Sequence, residues 1–463
     1  MSINQSVTPG FIDLATFDEL EKYIYGGSDA TAYFVGYTRK STWFTLIPTV
    51  LSKNMGQAFF GNEWAASISR AGDYLVHAWL RGSVPSVTFA SGSAIAGDAN
   101  ATMRWTHNFA HNLVQEAAIT FNDLVAARFD SYYLDFWAAF TVPASKQEGY
   151  NQMIGNTTTT TTAARILPGF TFNLPLPFFF ARDSGVALPT AALPYNEMRI
   201  QFQFRDYTQL LNVYPSATTP ARAAVSGEIV TVSYNNGAQT VGTQPPQLIQ
   251  CNVWAEYAIV SNDERKRMGC APRDILIEQV QTAPRGQLSL QTSGSQQFSI
   301  DIRFSHAVKA LLFAARNNTV SSDWSNYTVG NVATDGQVGV DMDIDPIANC
   351  SLLYENTQRL AGLPVDYYSL VEPWFKAPTI PTATGYHMYS YSLNMYDINP
   401  MGSTNYGKLT NVALDYNTLD LASQGLTARE IAIAVKNTFE FIVVAINNNV
   451  IRISGGALGF PVL

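Results

Sequence analysis

Long stretches of this sequence alternate between apolar and polar residues with a period of two. The clearest lie at residues 198–204, 298–304 and 389–395, where a bulky apolar or aromatic residue occupies every second position. This spacing turns one face of an extended chain toward a core and the other toward water, so it predicts half-buried antiparallel strands. Clusters of glycine, proline, asparagine and serine separate many such runs. The pattern therefore favours a sandwich or a jelly roll over a fold in which strands and helices alternate.

A few segments have the features of helices instead. The motif TFDE at residues 16–19 is a capping box, and the helix that it begins is expected to end at the glycine pair 26–27. Further helices are predicted around residues 131–139, 143–153 and 262–268. The N-terminal helix has two interpretations: it packs on its own domain, or it is an arm that binds a neighbouring component.

The chain length predicts two domains. At 463 residues the sequence exceeds the size at which one hydrophobic core usually keeps growing. The helix at 262–268 lies between two strand-like runs and marks the junction. We therefore expect an N-terminal arm at 1–28, a first β domain at 29–262, a helical linker at 263–272 and a second β domain at 273–463.

Two short echoes suggest that the second domain duplicates the first. RWTH at residues 104–107 resembles RFSH at 303–306, and LPFFF at 176–180 resembles EPWF at 372–375. The two pairs occur in the same order and at a nearly constant offset, which is typical of an internal repeat.

The surface composition favours assembly and disfavours nucleic-acid binding. Charged residues make up 14 % of the chain, against roughly 25 % in a typical domain. Polar uncharged residues replace them, and these cost less to desolvate when a surface is buried against a neighbour. The net charge is −8, and no basic run exceeds the short DERKR at residues 263–267. We therefore expect no direct contact with nucleic acid.

Cysteine usage and hydropathy place the chain inside a cell. Cys251, Cys270 and Cys350 lack metal-site spacing and are expected to be reduced thiols. The N-terminus lacks the features of a signal peptide, and no stretch approaches 18 consecutive apolar residues. The sequence thus predicts neither secretion nor a membrane span.

No motif assigns an enzymatic reaction. The sequence has no Walker-type phosphate loop, no dinucleotide fingerprint and no nucleophile elbow. His107 and His111 could share a helical face, but no further ligand lies nearby, so ordinary histidines are favoured over a metal pair. DMDID at 341–345 departs from a calcium loop and is expected to be a solvated loop. GGALG at 455–459 is better explained as a close-packed β terminus than as a helix-packing motif. We therefore assign no catalytic, cofactor-binding or metal-binding residue.

One proline-rich and aromatic stretch stands apart from the alternating strands. LPLPFFFARDSGVALPTAALPY, residues 174–195, is expected to begin as a strand end buried on both faces at 174–180. Residues 186–195 are then predicted to form a proline-stiffened bend that leads into the strand at Glu197. This stretch resembles a hallmark segment of the major capsid proteins of large nucleocytoplasmic DNA viruses.

Other segments match the same family in the same order along nearly the whole chain. They are SRAGDYL from residue 69, NDERKRMGCAPRDILIEQVQ from 262, DIRFSHAVKAL from 301, YYSLVEPW from 367, PMGSTNYGKLTN from 400 and NNNVIRISGGALGFPVL at the C-terminus. Together with GFIDLAT and YGGSDATAYFV near the start, they are most similar to iridovirus sequences. Residues 157–162 and 207–250 depart from the family pattern and are expected to be outward loops.

This resemblance implies an all-β fold of two tandem eight-stranded jelly rolls with a few short helices. It also implies a non-enzymatic structural protein whose homotrimers form pseudo-hexagonal capsomers in an icosahedral shell. The expected partners are other copies of the chain and, through the N-terminal arm, minor capsid proteins. The inner virion membrane would lie nearby without being spanned, and assembly would take place in the host cytoplasm.

Two alternatives share parts of this pattern. The aromatic content of 12 % is compatible with a β-sandwich glycan-binding protein or carbohydrate-active enzyme, although most of the aromatic residues have core spacing. A transient scaffold for virus assembly would share the double jelly roll and would be absent from the mature virion.

Overall fold

A computed structural model describes residues 15, 18, 42–216, 219–235, 238–270, 272–330 and 343–460. Residues 44–463 form one compact unit, and residues 1–43 form another. Apart from residues 15 and 18, the N-terminal arm at 1–28 and its capping box at 16–19 lie outside the described residues. The paragraphs below concern the larger unit.

The first half of this unit contains sixteen short or long strands. They are β1 (Phe44–Val50), β2 (Ser52–Gly56), β3 (Glu63–Ser67), β4 (Tyr74–Val84), β5 (Val87–Phe89), β6 (Thr102–Trp105), β7 (Val114–Phe121), β8 (Leu124–Asp130), β9 (Ile166–Leu167), β10 (Phe170–Pro175), β11 (Met198–Phe204), β12 (Leu211–Tyr214), β13 (Arg222–Ala223), β14 (Ile229–Asn235), β15 (Ala238–Val241) and β16 (Ile249–Val260), all within the part of the chain that the structure describes.

The second half continues with further strands, and helices lie between strands in both halves. The strands are β17 (Arg273–Thr282), β18 (Gly286–Leu288), β19 (Gln297–Asp301), β20 (Ala307–Asn317), β21 (Ile347–Tyr354), β22 (Thr357–Pro364), β23 (His387–Ser390), β24 (Thr404–Asn405), β25 (Val412–Thr418), β26 (Phe439–Ser454) and β27 (Ala457–Gly459). The helices are α1 (Phe109–Leu113), α2 (Ser131–Thr141), α3 (Ala144–Ile154), α4 (Thr158–Thr161), α5 (Asn262–Cys270), α6 (Glu372–Lys376) and α7 (Ala428–Ala434).

The two halves have the same sheet topology. In the first half, one sheet has the strand order β1-β16-β4-β10. The other has the order β2-β3-β11-β7-β8, in which β2 is an additional edge strand. In the second, the corresponding orders are β17-β26-β20-β23 and β19-β25-β21-β22. When the eight main strands of each roll are numbered along the chain, each strand occupies the same sheet position in both rolls. All of these strand pairings are antiparallel. Each half is therefore an eight-stranded jelly roll with additions, which confirms the predicted double jelly roll.

The repeat is real, but the two sequence echoes do not mark it. RWTH at 104–107 lies between the third and fourth strands of its roll, whereas RFSH at 303–306 lies between the second and third. LPFFF at 176–180 follows the sixth strand, and EPWF at 372–375 precedes it. The interpretation of the echoes was therefore wrong, because matches of four residues recur at unrelated strand ends.

The predicted strands are confirmed to different extents. β11 matches residues 198–204, and its side chains alternate strictly between buried and half-buried. β19 ends at Asp301, although Ile302 still donates a backbone hydrogen bond to the Val412 carbonyl. The strand predicted at 389–395 is wrong beyond Ser390. There the hydroxyls of Ser390 and Ser392 accept hydrogen bonds from nearby backbone N–H groups, and this local bonding competes with a sheet ladder.

The predicted helices at 131–139, 143–153 and 262–268 are confirmed as α2, α3 and α5. Asp130 caps α2 by accepting a hydrogen bond from the Tyr133 N–H at 2.9 Å. The predicted loop at 157–162 is wrong, because α4 forms there. Its Thr160 is buried, and the Thr160 hydroxyl donates to the Gly155 carbonyl at 2.8 Å. Threonine thus stabilises this turn by side-chain bonding and burial.

The predicted outward loop at 207–250 is also wrong for much of its length. Strands β12 to β15 and the start of β16 lie in this segment. Ile229, Val230 and Val232 of β14 are buried, so the apolar content of this segment is enough to order it.

In the segment predicted to be buried, 174–180, Leu174, Leu176 and the three phenylalanines are buried, but the segment is less strand-like than expected. β10 ends at Pro175, and single 3₁₀ turns follow at Phe179–Ala181, Ser184–Val186 and Thr190–Ala192. Prolines 175 and 177 lack the N–H group that a continuing ladder needs. The phenylalanine side chains at 178–180 are nevertheless at most 1 % exposed.

Candidate assembly interfaces

The residues considered for metal binding serve structural hydrogen bonds. His111 is buried in α1, where its Nδ1 lies 2.6 Å from Asp135 Oδ1 and its Nε2 lies 2.7 Å from the Tyr150 hydroxyl. His107 precedes α1, so the two histidines do not share a helix. Among the described residues, no group of three or more His, Cys, Asp or Glu side chains could hold a metal ion.

The other two candidate motifs are also structural where they are described. Asp341 of the DMDID motif lies outside the described residues. Asp345 lies with its Oδ2 2.6 Å from the His387 Nε2, and its Oδ1 accepts a hydrogen bond from the Ile347 N–H. Gly455 and Gly456 adopt positive φ values of 61° and 81° in the turn between β26 and β27. This left-handed turn, rather than helix packing, accounts for the glycines.

A seam of buried side chains joins the two jelly rolls. Phe178 and Phe179 of the proline-rich stretch pack there with Phe129 from β8 and Val280 from β17. The void that remains between these side chains is about 10 Å³, which leaves room for no more than about one water molecule. The aromatic stretch therefore fixes the first roll against the second.

A buried ionic cluster lies beside these rings. Glu278 of β17 has its Oε1 2.6 Å from the Lys309 Nζ and its Oε2 3.1 Å from the Arg182 Nη1. The three side chains are at most 5 % exposed. Burial lowers the pKa of Lys309, and the neighbouring Glu278 carboxylate opposes that shift. The Arg182 guanidinium also stacks 4.0 Å from the centre of the Trp137 ring in α2.

Asp135 of α2 is a second polar centre at the seam. From the first roll, His111 and Asn108 place nitrogen atoms 2.6 and 3.2 Å from its Oδ1. From the second roll, the hydroxyls of Ser325 and Tyr327 donate to its Oδ2 at 2.6 and 3.1 Å. A buried carboxylate needs such donors, so this group makes the relative placement of the two rolls specific.

Trp324 of the second roll lies between two arginine side chains. The guanidinium carbons of Arg205 and Arg316 are 3.7 and 3.9 Å from its ring centre. Burial lowers the pKa of Arg205 to about 10. The Arg205 Nη1 donates to the Asn112 carbonyl at 2.6 Å, so the buried charge is hydrogen-bonded. This stack adds a cation–π contact across the seam.

The helix between the rolls is tied to the first roll by Asp73, which belongs to the SRAGDYL motif. Arg265 of α5 donates from Nε and Nη2 to the two carboxylate oxygens at 2.7 and 3.0 Å. The Val260 N–H donates to the same carboxylate at 2.9 Å. Burial acts to raise the pKa of Asp73, but the hydrogen bonds from Arg265 and Val260 outweigh it and hold the pKa below its ordinary value.

An exposed helical segment of the second roll presents four apolar side chains, which we call the apolar ridge. They are Leu370, Val371, Trp374 and Phe375, with exposed fractions of 51, 43, 72 and 73 %. Their spacing places them along one side of the π-helical turn Tyr367–Val371 and of α6.

The apolar ridge is held rigidly from below. The buried Glu372 carboxylate accepts hydrogen bonds from the Lys376 Nζ at 2.7 Å, the Ser390 N–H at 3.1 Å and the Tyr367 hydroxyl at 3.0 Å. The exposed rings therefore project from a fixed base.

The first roll carries an open cavity of about 610 Å³, which we call the first-roll cavity. It lies between the outer face of β4 and β10 and helices α2 and α3. Aromatic and aliphatic side chains line most of it. They include Trp79, Leu134, Trp137, Met153, Leu176 and Tyr396.

Sequence reasoning assigned none of these interface residues. The aromatic motifs at 176–180 and 372–375 were noted, but not their contacts. One sequence signal could have indicated the buried ion pair of Arg182 with Glu278. Arg182 closely follows three phenylalanines, and a charged residue beside such an apolar run often needs a buried partner.

Known proteins resemble this chain along its full length. The family model of the major capsid protein N-terminus matches residues 32–259, and that of the large eukaryotic DNA virus major capsid protein matches residues 264–459. The major capsid protein of Costelytra zealandica iridescent virus is 54 % identical over 477 aligned residues, covering 100 % of both chains. That of Invertebrate iridescent virus 6 is 55 % identical over 479 aligned residues, again with 100 % coverage of both.

A solved structure shows the same fold at low identity. PBCV-1 VP54, in a crystal structure fitted into a cryo-EM reconstruction of the virophage Sputnik, matches with a TM-score of 0.73 and 19 % identity. The match covers 93 % of this chain and 100 % of that one. None of these relatives supports a glycan-binding, carbohydrate-active or transient-scaffold alternative. The chain belongs to the family of large eukaryotic DNA virus major capsid proteins, and it is a structural capsid protein rather than an enzyme.

Proposed function

We propose that this capsid protein forms homotrimers in which six jelly rolls make a pseudo-hexagonal capsomer of an icosahedral shell. The observation that carries the proposal is the identical strand order of the two rolls within one compact unit. Three copies related by a threefold axis would then present six similar rolls. Such a tile meets its neighbours through nearly equivalent edges and can cover a flat facet.

The surface properties support self-association. The charged fraction is low at 14 %, and the apolar ridge exposes two large aromatic side chains. Contacts within a capsomer should be obligate and bury upward of about 2,000 Å². Contacts between capsomers should be weaker, with the shell held by their number.

The expected domain boundaries belong to this proposal. The arm comprises residues 1–28, the first roll 29–262, the linker 263–272 and the second roll 273–463. The position of α5 between β16 and β17 supports the linker.

The proposal extends to further partners. The N-terminal arm binds minor capsid proteins beneath the capsomer and near the inner virion membrane, and assembly takes place in the host cytoplasm. The family resemblance supports this arrangement. Among the described residues, no helix is long and apolar enough to cross a membrane. The lack of a long basic run in the sequence argues against direct binding of nucleic acid.

The mass of the purified protein in solution tests the central proposal. Light scattering coupled to size exclusion should give three times the chain mass of 50.8 kDa. The value should be constant as the protein is diluted through the micromolar range, because an obligate interface does not dissociate there. A monomer at these concentrations would reject the capsomer.

A further inference from the structure

We propose that the apolar ridge of one copy inserts into the first-roll cavity of a neighbouring copy. This inference rests on the proposed homotrimer and names the contact that would build it. The ridge acts as the inserted element, and the cavity as its receptor.

The apolar ridge requires a cover in the assembled protein. Trp374 and Phe375 are each more than 70 % exposed. A soluble protein rarely leaves two neighbouring aromatic side chains so accessible unless they mark an interaction site. The fixed base at Glu372 adds to this, because a rigid anchor loses little conformational entropy when it binds.

The first-roll cavity has the size and chemistry to receive these rings. Its volume of about 610 Å³ exceeds the space that two aromatic side chains need. Trp79, Trp137 and Tyr396 supply flat apolar walls, against which indole and phenyl rings can stack or meet edge to face.

At the cavity, polar side-chain groups that have no hydrogen-bond partner within the described ranges could donate to the backbone carbonyls of an inserted helix end. The side chains of His77 and Asn173 line the cavity, and neither side chain forms a hydrogen bond to a described residue. The buried Arg182 also lines it, and its Nε has no hydrogen-bond partner among the residues described. The ridge ends at the C-terminus of α6, where the carbonyls of Pro373 and Lys376 already accept backbone hydrogen bonds from Ala377 and Met395. The carbonyls of Trp374 and Phe375 are therefore the acceptors that the ridge offers to a partner. These donors therefore complement the acceptors that the ridge would bring.

The charge of the ridge is also compatible with an apolar cavity. Glu372 and Lys376, the charged residues of α6, pair with each other at 2.7 Å. Insertion therefore brings no unpaired side-chain charge into the apolar walls, which would be costly.

The ridge and the cavity are two different surfaces of the chain. The ridge belongs to the second roll, whereas the cavity walls other than Tyr396 come from residues 77–182 of the first roll. A contact between two different surfaces is heterologous, and three such contacts close a trimer when successive copies are related by a rotation of about 120°. The two ridge aromatics would bury about 150–250 Å² each, a large part of the roughly 800 Å² per partner in a stable interface.

A disulfide trap tests the contact directly. Phe375→Cys on the ridge and Met153→Cys at the cavity, combined in one chain, should form covalent dimers and trimers on oxidation in non-reducing gels. All variants carry Cys270→Ser so that this native thiol cannot react. Each single variant should then remain monomeric in the same gel, because Cys251 and Cys350 are buried. A matched pair, Phe375→Cys with Leu124→Cys, places the second thiol on an exposed side chain that does not line the cavity and should not cross-link.

The outcome separates this inference from the proposed function. A trimer by mass without the cross-link would overturn the ridge contact and leave the capsomer intact. A monomer by mass would reject the capsomer itself. As a second measurement, Trp374→Ala with Phe375→Ala should weaken trimer association by at least about tenfold while the circular dichroism spectrum stays unchanged. Association within twofold of the wild type would contradict the proposal.

Discussion

Individual buried side chains hold the two jelly rolls in one arrangement. Phe179, Glu278 and Asp135 each contact residues of the other roll, and all three are at most 7 % exposed. Changes at these positions should therefore act on the whole unit rather than on one loop.

We expect Phe179→Ala to lower the free energy of unfolding by about 3–5 kcal/mol, because the ring is fully buried and its removal leaves a cavity at the seam. Denaturant unfolding followed by tryptophan fluorescence measures the change. The control is Val225→Ala, whose side chain is 56 % exposed and should shift stability by less than about 0.5 kcal/mol. A loss below about 1 kcal/mol for Phe179→Ala would contradict its core position.

Glu278→Gln should destabilise the folded protein more than the removal of both charges of the Glu278–Lys309 pair does. The amide leaves Lys309 buried without its carboxylate, and breaking a buried pair costs about 3–5 kcal/mol. Combining Glu278→Gln with Lys309→Met removes the charges of that pair but leaves Arg182 stacked on Trp137, so it should recover part of that loss. Thermal unfolding of the single and double variants measures the difference. Equal destabilisation in both would show that the charges are not coupled.

At the scale of secondary structure, the sequence predicted those elements whose apolar spacing or capping residues lie within the element itself. β11 has strict alternation, and α2, α3 and α5 have caps or apolar faces that a reader can find in the sequence. The errors occurred where side chains decide the backbone conformation: Thr160 ordered a predicted loop, and serine hydroxyls ended a predicted strand at Ser390. Such bonds depend on three-dimensional neighbours that composition does not reveal.

The attachment of α5 to the first roll should depend on pH. Asp73→Asn replaces a carboxylate that accepts charged hydrogen bonds and should cost about 1.5–3 kcal/mol at neutral pH. The folded pKa of Asp73 lies below its ordinary value of 3.8. The stabilisation is therefore complete above that value and is lost as the pH falls through the folded pKa.

The pH profile provides the check. The stability difference between the wild type and Asp73→Asn should be constant from pH 5 to 7 and shrink below about pH 4. Asp274→Asn is a suitable comparison, because that carboxylate pairs with Arg452 at an exposed site, where ion pairs contribute little. A difference between wild type and Asp73→Asn that persists unchanged at pH 3 would refute the assigned pKa direction.

For the whole molecule, the duplicated fold could be predicted from the sequence, whereas the contacts between the two rolls could not. Strand periodicity and the family motifs predicted two jelly rolls, and the topology confirms them. The seam could not be predicted, since its partners are far apart in the chain: Asp135 and Tyr327 are separated by 192 positions. Long-range pairings of this kind follow from the tertiary arrangement alone.

The division of the chain into two units leads to a prediction about the arm. The compact unit at 44–463 contains both rolls, the seam, the apolar ridge and the first-roll cavity. If trimers form through these surfaces, they do not need the N-terminus. Deletion of residues 1–26 should therefore leave the number of subunits at three and the unfolding temperature unchanged.

The same deletion should impair shell assembly, because it removes the proposed contact with minor capsid proteins. Co-expression with the other virion proteins, followed by sedimentation and electron microscopy, would count closed particles. Replacing residues 1–26 by a glycine–serine segment of equal length is the matched control, since it keeps the chain length while removing the arm's side chains. Both variants should yield intact trimers and few closed shells. An unchanged particle yield would reject the proposed function of the arm, whereas loss of the trimer would show that the arm contributes to the capsomer itself.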